Sequence, residues 1–202
     1  KFEQKKTIIM PLIRKKYYEK YFFWKEEDLF TIIIIGGSQG AKIFDTLLNE
    51  IIVNISKLCS LKVIHQTSKN NIDILKKFYT ENEIKNSVFA FNKNLNELLE
   101  QSDLCITRGG ASTLAELSIL NIPFVIFPLP SSKDNHQYEN AKYYKDRDCC
   151  WIIDQNSFDK QKFEELLIEI SVKKDEYLTK KNNLKKLNFQ NTWNNVNQNL
   201  LE

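Results

Sequence analysis

Two loops in the sequence combine glycines with the start of a helical pattern. The first, GGSQG at 36–40, follows a run of four isoleucines. Glycines let the backbone approach a ligand closely, and backbone N–H groups at a helix amino terminus bind phosphate. The loop therefore predicts that Gly37, Ser38, Gln39 and Gly40 face a phosphate group. An ordinary turn with Ser38 as a helix N-cap is an equally available interpretation, because the P-loop lysine and the GxGxxG pattern are missing.

The second loop, RGGASTLAE at 108–116, again leaves an apolar run, passes two glycines and opens a helical pattern. The N–H groups of Ala111, Ser112 and Thr113 are therefore candidates to bind phosphate. An ionised carboxylate accepts hydrogen bonds from the vicinal hydroxyls of a ribose, which makes Glu116 a candidate ribose ligand. Thr113 and Glu116 also fit a capping box, a structural role in which the carboxylate returns to the N-cap N–H.

A third loop, at 128–137, contains two side chains suited to a sugar. His136 and Gln137 can donate and accept hydrogen bonds, as the hydroxyl groups of a hexose require. We expect both in the first turn of a helix above the same crevice. Asp134 and Gln137 have capping-box spacing, so a structural role is equally open here.

Signatures of several other chemistries are missing from the sequence. It has no HExxH helix and no CxxC pair among its four cysteines. No metal and no cofactor are therefore expected, and unpaired cysteines favour a reducing cytoplasm. His65, at the end of a predicted strand, is interpreted as a structural histidine. The three loops together describe a site for a sugar nucleotide better than they describe a hydrolase.

The loops must be positioned by the elements around them, and short apolar runs alternate with helical patterns from Thr31 onward. This alternation predicts an α/β fold, a Rossmann-like parallel sheet with helices on both faces, whose ligand crevice lies at the carboxyl ends of the strands. After Phe158 the pattern is helical to the end. The predicted strands are Thr31–Ile35, Lys62–His65, Val88–Phe91, Leu104–Thr107, Phe124–Phe127 and Trp151–Ile153.

Composition excludes several classes of protein. The chain has 202 residues, 42% hydrophobic and 27% charged, with five glycines and four prolines. No apolar run approaches the ~20 residues that a membrane-spanning helix needs. A collagen, a disordered chain and a transmembrane anchor are therefore excluded, and one large domain or two small ones are expected.

Three segments are predicted along the chain. Residues 1–30 are interpreted as a linker from a preceding domain, 31–172 as the sugar-nucleotide domain and 173–202 as a helical tail. Since the sequence begins at Lys1 without a leader pattern, we expect a piece of a longer chain. Residues 1–25 carry eight basic and two acidic side chains, and 173–202 carry six and three, so the body between them is acidic. This distribution argues against nucleic acid as a partner and predicts that the basic ends meet an anionic membrane.

Taken in order, the motifs carry a family resemblance. GGSQGAK follows the first predicted strand, HQT lies at the end of the second, and the segment 89–103 comes next. ITRGGASTLAEL begins with the last two residues of the fourth strand, and PLPSSKDNHQYENA follows the fifth. From residue 31 to about 155 this series resembles the C-terminal half of the MurG family. Those proteins are two-domain GT-B enzymes that transfer N-acetylglucosamine (GlcNAc) in bacterial peptidoglycan synthesis.

The resemblance implies roles for residues that match the family motifs. The two glycine loops would bind the donor diphosphate and Glu116 the ribose, while Phe91 and the backbone of Asn92 would flank the uracil. His136 and its neighbour would contact the GlcNAc hydroxyls, although the family usually has glutamine in place of His136. Arg14, in the series PLIR, resembles the arginine of the family's Asn-Pro-Val-Arg and is implied to contact phosphate.

By the same resemblance, the chain would be the donor-binding half of an inverting glycosyltransferase. The whole enzyme would move GlcNAc from UDP-GlcNAc to the lipid-linked muramyl-pentapeptide, lipid I, at the inner face of the bacterial cell membrane. The acceptor and the catalytic base are expected in an N-terminal half or in the cleft, so this piece alone should be inactive. Two alternatives stay open: a free-standing donor-binding subunit of another UDP-GlcNAc transferase, and a non-catalytic nucleotide-binding module.

Overall fold

A six-stranded sheet forms the centre of the molecule. The computed structural model describes residues 29–37, 42–130, 132 and 135–187. The strands are β1 (Phe30–Ile35), β2 (Leu61–Gln66), β3 (Lys85–Phe89), β4 (Leu104–Thr107), β5 (Phe124–Ile126) and β6 (Cys150–Ile152). All pairs are parallel, in the order β3-β2-β1-β4-β5-β6. The predicted Rossmann-like fold is thus confirmed, and the reversal of strand order falls between β1 and β4.

Helices connect the strands and continue beyond the last one. They are α1 (Phe44–Leu47), α2 (Asn49–Ser56), α3 (Ile72–Glu81), α4 (Leu95–Glu100), α5 (Ala111–Ile119), α6 (His136–Lys145), α7 (Lys160–Ile168) and α8 (Asp175–Lys186). A π-helical turn at Glu169–Lys173 joins the last two, and Lys174 takes a left-handed conformation between them. Among the helices of the described ranges, none is both long and apolar enough to cross a lipid bilayer.

The isoleucine run of β1 supplies side chains to both faces of the sheet. Ile32 and Ile34 belong to one apolar core, which α1, α2, α3 and α7 cover. Ile33 and Ile35 belong to the other, which α4, α5 and α6 cover. A central parallel strand is buried on both sides, so its sequence is continuously apolar rather than alternating. The strand thereby holds the first glycine loop on a rigid support.

The largest difference between a predicted strand and the structure is in the third strand. The third strand covers Lys85–Phe89 and not Val88–Phe91, because its first residues pair with β2 despite their polar side chains. Phe91 therefore lies in the loop after β3. The segment after residue 173 includes α8, from which Tyr177 and Leu184 contribute one side chain to each core.

Candidate functional site

The first and second glycine loops begin side by side at the carboxyl edge of the sheet. They leave β1 and β4, which pair directly, so that Ile35 lies opposite Thr107. This is the point where the strand order reverses, the usual place for a ligand crevice in such folds. Gly37 has a φ of +85°, which a side chain would strain. The predicted meeting of the two loops is confirmed as far as Gly37, where the description of the first loop stops.

The amino terminus of α5 lies at this edge and presents backbone donors that have no partner within the helix. Gly110 is the N-cap in extended conformation, and the first turn closes with a bond from the Leu114 N–H to the Gly110 carbonyl at 3.0 Å. The N–H groups of Ala111, Ser112 and Thr113 precede that bond and have no partner within the helix. Together with the helix dipole, they suit an anion such as phosphate.

The capping-box interpretation of Glu116 is wrong. Because α5 begins at Ala111, Thr113 is its third residue rather than its N-cap, and Glu116 lies a full turn further on. Glu116 is only 9% exposed. A carboxylate so far inside a helix cannot cap it. The buried side chain lies in the second turn of α5, and its role as a ribose ligand stays a prediction.

Helix α6 opens next to α5 and places the predicted sugar-binding pair in its first turn. Its N-cap is Asn135, with φ of +53°, and Asp134, the other member of the predicted capping box, lies outside the described residues. The Gln137 Oε1 atom accepts a hydrogen bond from the Leu129 N–H at 2.9 Å. His136 is exposed at the first helical position. Since a backbone N–H can only donate, this bond fixes which side of the Gln137 amide can donate to a ligand.

A polar contact links the starts of α5 and α6. The Asn140 side chain donates to the Gly109 carbonyl at 3.2 Å. Gly109 has φ of +95° and precedes the N-cap of α5. Neither residue was among the predicted ligands, although both lie in the motifs that carry the family resemblance.

The predicted uracil contact is strongly exposed. Phe91 has 75% of its surface accessible, although it is a large apolar side chain. The next residue, Asn92, accepts a bond from the Asn94 N–H at 2.8 Å, which closes a tight turn before α4. An exposed ring on a fixed turn at the carboxyl edge can stack on a planar ligand.

Arg108 lies between β4 and the second glycine loop, and the sequence prediction did not include it among the ligands. It follows β4 directly, and its Nη1 atom donates to the Gln155 Oε1 atom at 2.6 Å and the Phe127 carbonyl at 3.3 Å. Burial lowers the pKa of the half-buried guanidinium, which nevertheless stays charged. Its position between a strand and two glycines was the available signal.

The structural interpretation of His65 is confirmed. The residue is fully buried, its Nδ1 lies 2.8 Å from the Tyr79 hydroxyl, and its Nε2 lies 3.4 Å from an oxygen of Asp45. The second Asp45 oxygen accepts bonds from Thr67 and Asn71 at 2.7 and 2.8 Å. Although GGSQG also satisfies the GxSxG pattern of serine hydrolases, both ring nitrogens of His65 already face these other groups. His65 therefore does not act as the base of such an enzyme.

Several predicted ligands lie outside the described residues, namely Arg14, Ser38, Gln39 and Gly40. Their roles stay predictions. Within the described part of the chain, no group of three or more histidine, cysteine, aspartate or glutamate side chains could hold a metal ion.

The sequence matches the glycosyltransferase family 28 C-terminal domain over residues 31–196. The chain belongs to this family. Among its curated relatives is a UDP-N-acetylglucosamine--N-acetylmuramyl-(pentapeptide) pyrophosphoryl-undecaprenol N-acetylglucosamine transferase from Pelagibacter ubique (strain HTCC1062). That protein is 43% identical over 98% of this chain and 55% of its own length.

A transferase of the same name from Sulfurovum sp. (strain NBC37-1) is 40% identical over 69% of this chain and 41% of its own length. Among solved structures, Acinetobacter baumannii MurG matches with a TM-score of 0.72 and 22% identity, over 81% of this chain and 49% of that one. This likeness supports the fold. The family 28 domain described here thus spans about half the length of the curated relatives that it matches.

Proposed function

We propose that this family 28 domain binds UDP-GlcNAc as the donor half of an inverting GlcNAc transferase. The observation that carries the proposal is the opening of α5 and α6 side by side at the carboxyl edge, with α5 beside the point where the strand order reverses. One helix start suits the diphosphate and the other suits the sugar. The printed names of the relatives, which are GlcNAc transferases, support the same donor.

Each part of UDP-GlcNAc has a counterpart in the proposed site. The N–H groups at 111–113 and the glycine loop at 36–40 bind the diphosphate, and Glu116 accepts hydrogen bonds from the ribose hydroxyls. The exposed ring of Phe91 stacks beside the uracil, and the backbone of Asn92 contacts its edge. His136 and Gln137 contact the GlcNAc hydroxyls, and Arg14 contributes to phosphate binding.

The proposed reaction is a direct displacement at the anomeric carbon of GlcNAc. A hydroxyl of lipid I attacks this carbon, the bond to the UDP oxygen breaks, and a base takes the hydroxyl proton. Backbone donors stabilise the negative charge that develops on the departing UDP. The relatives are about twice as long as this chain, so we assign the acceptor and the base to the half that it does not cover.

Peripheral attachment to the inner face of the cell membrane belongs to the same proposal. A lipid-linked acceptor has to be met at a membrane surface, and the basic segments 1–25 and 173–202 suit anionic lipid. Co-sedimentation of the full-length enzyme with vesicles of rising phosphatidylglycerol content should show binding that salt weakens. Binding that ignores lipid charge and lysine-to-glutamine changes in both segments contradicts this attachment.

Calorimetric titration and a transfer assay test the donor assignment together. The chain should bind UDP and UDP-GlcNAc in the micromolar-to-millimolar range and bind ADP, the control nucleotide, much more weakly. In a radiolabel assay with a soluble lipid I analogue it should transfer no sugar, because the attacking oxygen must be held ~3 to 3.5 Å from the anomeric carbon by another domain. Absence of UDP binding at millimolar concentration refutes the donor assignment, and transfer by this chain alone refutes the two-domain mechanism.

A further inference from the structure

The Arg108 side chain connects the elements that carry the ligand loops. Its guanidinium donates to the carbonyl of Phe127, which follows β5 and begins the loop toward α6. It also donates to Gln155, which lies three residues beyond β6. Its carbon lies 5.2 Å from the ring centre of Phe44, the first residue of α1. The cation is thereby held at the carboxyl edge of the sheet, two residues before the N-cap of α5.

Within the described residues, the groups that hold this cation are all neutral. They are a backbone carbonyl, an amide oxygen and an aromatic ring, and burial alone lowers the pKa of the guanidinium. Lys180 is held differently: this lysine is only 7% exposed and contacts a carboxylate oxygen of Asp148 at 2.6 Å. A half-buried charge without a carboxylate partner keeps its full attraction for an anion in the crevice.

We propose that Arg108 is a further diphosphate-binding residue, and that Gln155 holds it in place without neutralising it. The inference rests on the proposed donor function and adds to it the residue that supplies positive charge to the floor of the site. An amide at position 155 orients the guanidinium as a carboxylate would, but leaves its charge for the ligand. The same charge stabilises the departing UDP in the transfer reaction.

Substitutions at residue 155 separate the charge of Arg108 from its position. Gln155→Glu keeps the hydrogen bond and neutralises the guanidinium, so UDP affinity should fall roughly tenfold. Gln155→Ala loosens the side chain but leaves its charge, and should change UDP affinity less than threefold. Arg108→Gln should lower UDP affinity at least as much as Gln155→Glu, and Arg108→Lys should recover most of the loss. Thermal unfolding without ligand checks that each variant folds.

A matched control lies at the opposite edge of the sheet. There Lys62 donates to the Gln101 side chain at 3.4 Å, so Gln101→Glu makes the same charge change away from the site. UDP affinity should be unchanged in this variant. Uridine, which has no phosphate, should bind the wild type, Gln155→Glu and Arg108→Gln equally, and the losses should appear with UMP and grow with UDP.

The outcomes distinguish this inference from the donor assignment. If the wild type does not bind UDP, both the proposed donor function and the role of Arg108 are refuted. If the wild type binds UDP, but Gln155→Glu and Arg108→Gln bind it equally well, only the inference is overturned. It is overturned as well if Gln155→Ala reduces affinity more than Gln155→Glu does, since Arg108 would then act through the loop after β6 and not through its charge.

Discussion

Gly109 and Gln137 touch through their backbones. A Cβ atom placed on Gly109 would lie 3.0 Å from the Gln137 carbonyl oxygen, and equally close to a methyl group of Ile126. The loop that begins α5 and the first turn of α6 are thus packed with no room for a side chain between them. The distance between the proposed phosphate and sugar subsites depends on this contact.

Gly109→Ala should therefore affect both stability and sugar recognition. Its φ of +95° is strained for alanine, and the Gln137 backbone would have to move by a few tenths of an ångström. We expect a loss of about 2 to 3 kcal/mol in the free energy of unfolding, and a smaller preference for UDP-GlcNAc over UDP. Gly37→Ala is the control for strain alone, since its φ is +85° but no atom of the described residues lies within 4 Å of the added carbon.

Chemical denaturation and paired titrations with UDP and UDP-GlcNAc measure both effects. Gly37→Ala should cost about 1 to 2 kcal/mol of stability. Equal losses in the two variants would show that the contact with Gln137 is unimportant. An unchanged ratio of UDP-GlcNAc to UDP affinity in Gly109→Ala would separate α6 from sugar binding.

Glu116→Gln should weaken UDP binding by about 1.5 to 3 kcal/mol, because a charged acceptor of the ribose hydroxyls is replaced by a neutral amide. The effect should depend on the ribose itself. The wild type should bind 2′-deoxy-UDP more weakly than UDP, whereas the variant should discriminate much less between them. Calorimetry on the two proteins and two ligands gives this coupling directly. If the variant retains the discrimination of the wild type, Glu116 does not contact the 2′-hydroxyl.

The sequence predicted the sheet and its loops better than the roles of single polar residues. Apolar runs such as Ile32–Ile35 predict strands well, because a parallel strand that is buried on both faces carries apolar side chains at successive positions. Capping-box spacing was misleading for Glu116, since the start of a helix depends on the glycines before it and not on spacing alone. The bond between Arg108 and Gln155 joins residues 47 positions apart, and no local pattern predicts such a contact.

Asp45 should make the free energy of unfolding depend on pH in the acidic range. Burial opposes its ionisation, but the interactions with His65, Thr67 and Asn71 outweigh burial, and the pKa of Asp45 lies below its ordinary value of 3.8. The unfolded chain therefore takes up this proton first as the pH falls. The stabilisation is complete well above pH 3.8 and is lost as the pH drops through the lower folded-state value.

Urea unfolding of Asp45→Asn between pH 7 and pH 3 tests this dependence. The variant should lose about 1 to 3 kcal/mol at pH 7, and the difference from the wild type should shrink toward pH 3. Asp73→Asn, on the exposed side of α3, should change the free energy of unfolding by less than about 0.5 kcal/mol. A difference between wild type and Asp45→Asn that is constant over this range would show that the carboxylate charge is not what stabilises the network.

Helix α8 should stabilise the domain without taking part in ligand binding. Leu184 is 1% exposed and packs in the core beneath α5, with which α8 is in contact, whereas Leu178 on the same helix is 50% exposed. Removing a buried leucine side chain leaves a cavity, so Leu184→Ala should lower the free energy of unfolding by about 2 to 5 kcal/mol. Leu178→Ala should change it by less than about 0.5 kcal/mol.

At a temperature where both variants are folded, UDP affinity should equal that of the wild type, because α5 is anchored by its own buried face. Loss of UDP affinity in folded Leu184→Ala would instead make α8 a support for the diphosphate site, and equal stability of the two variants would contradict the packing of α8 on the core.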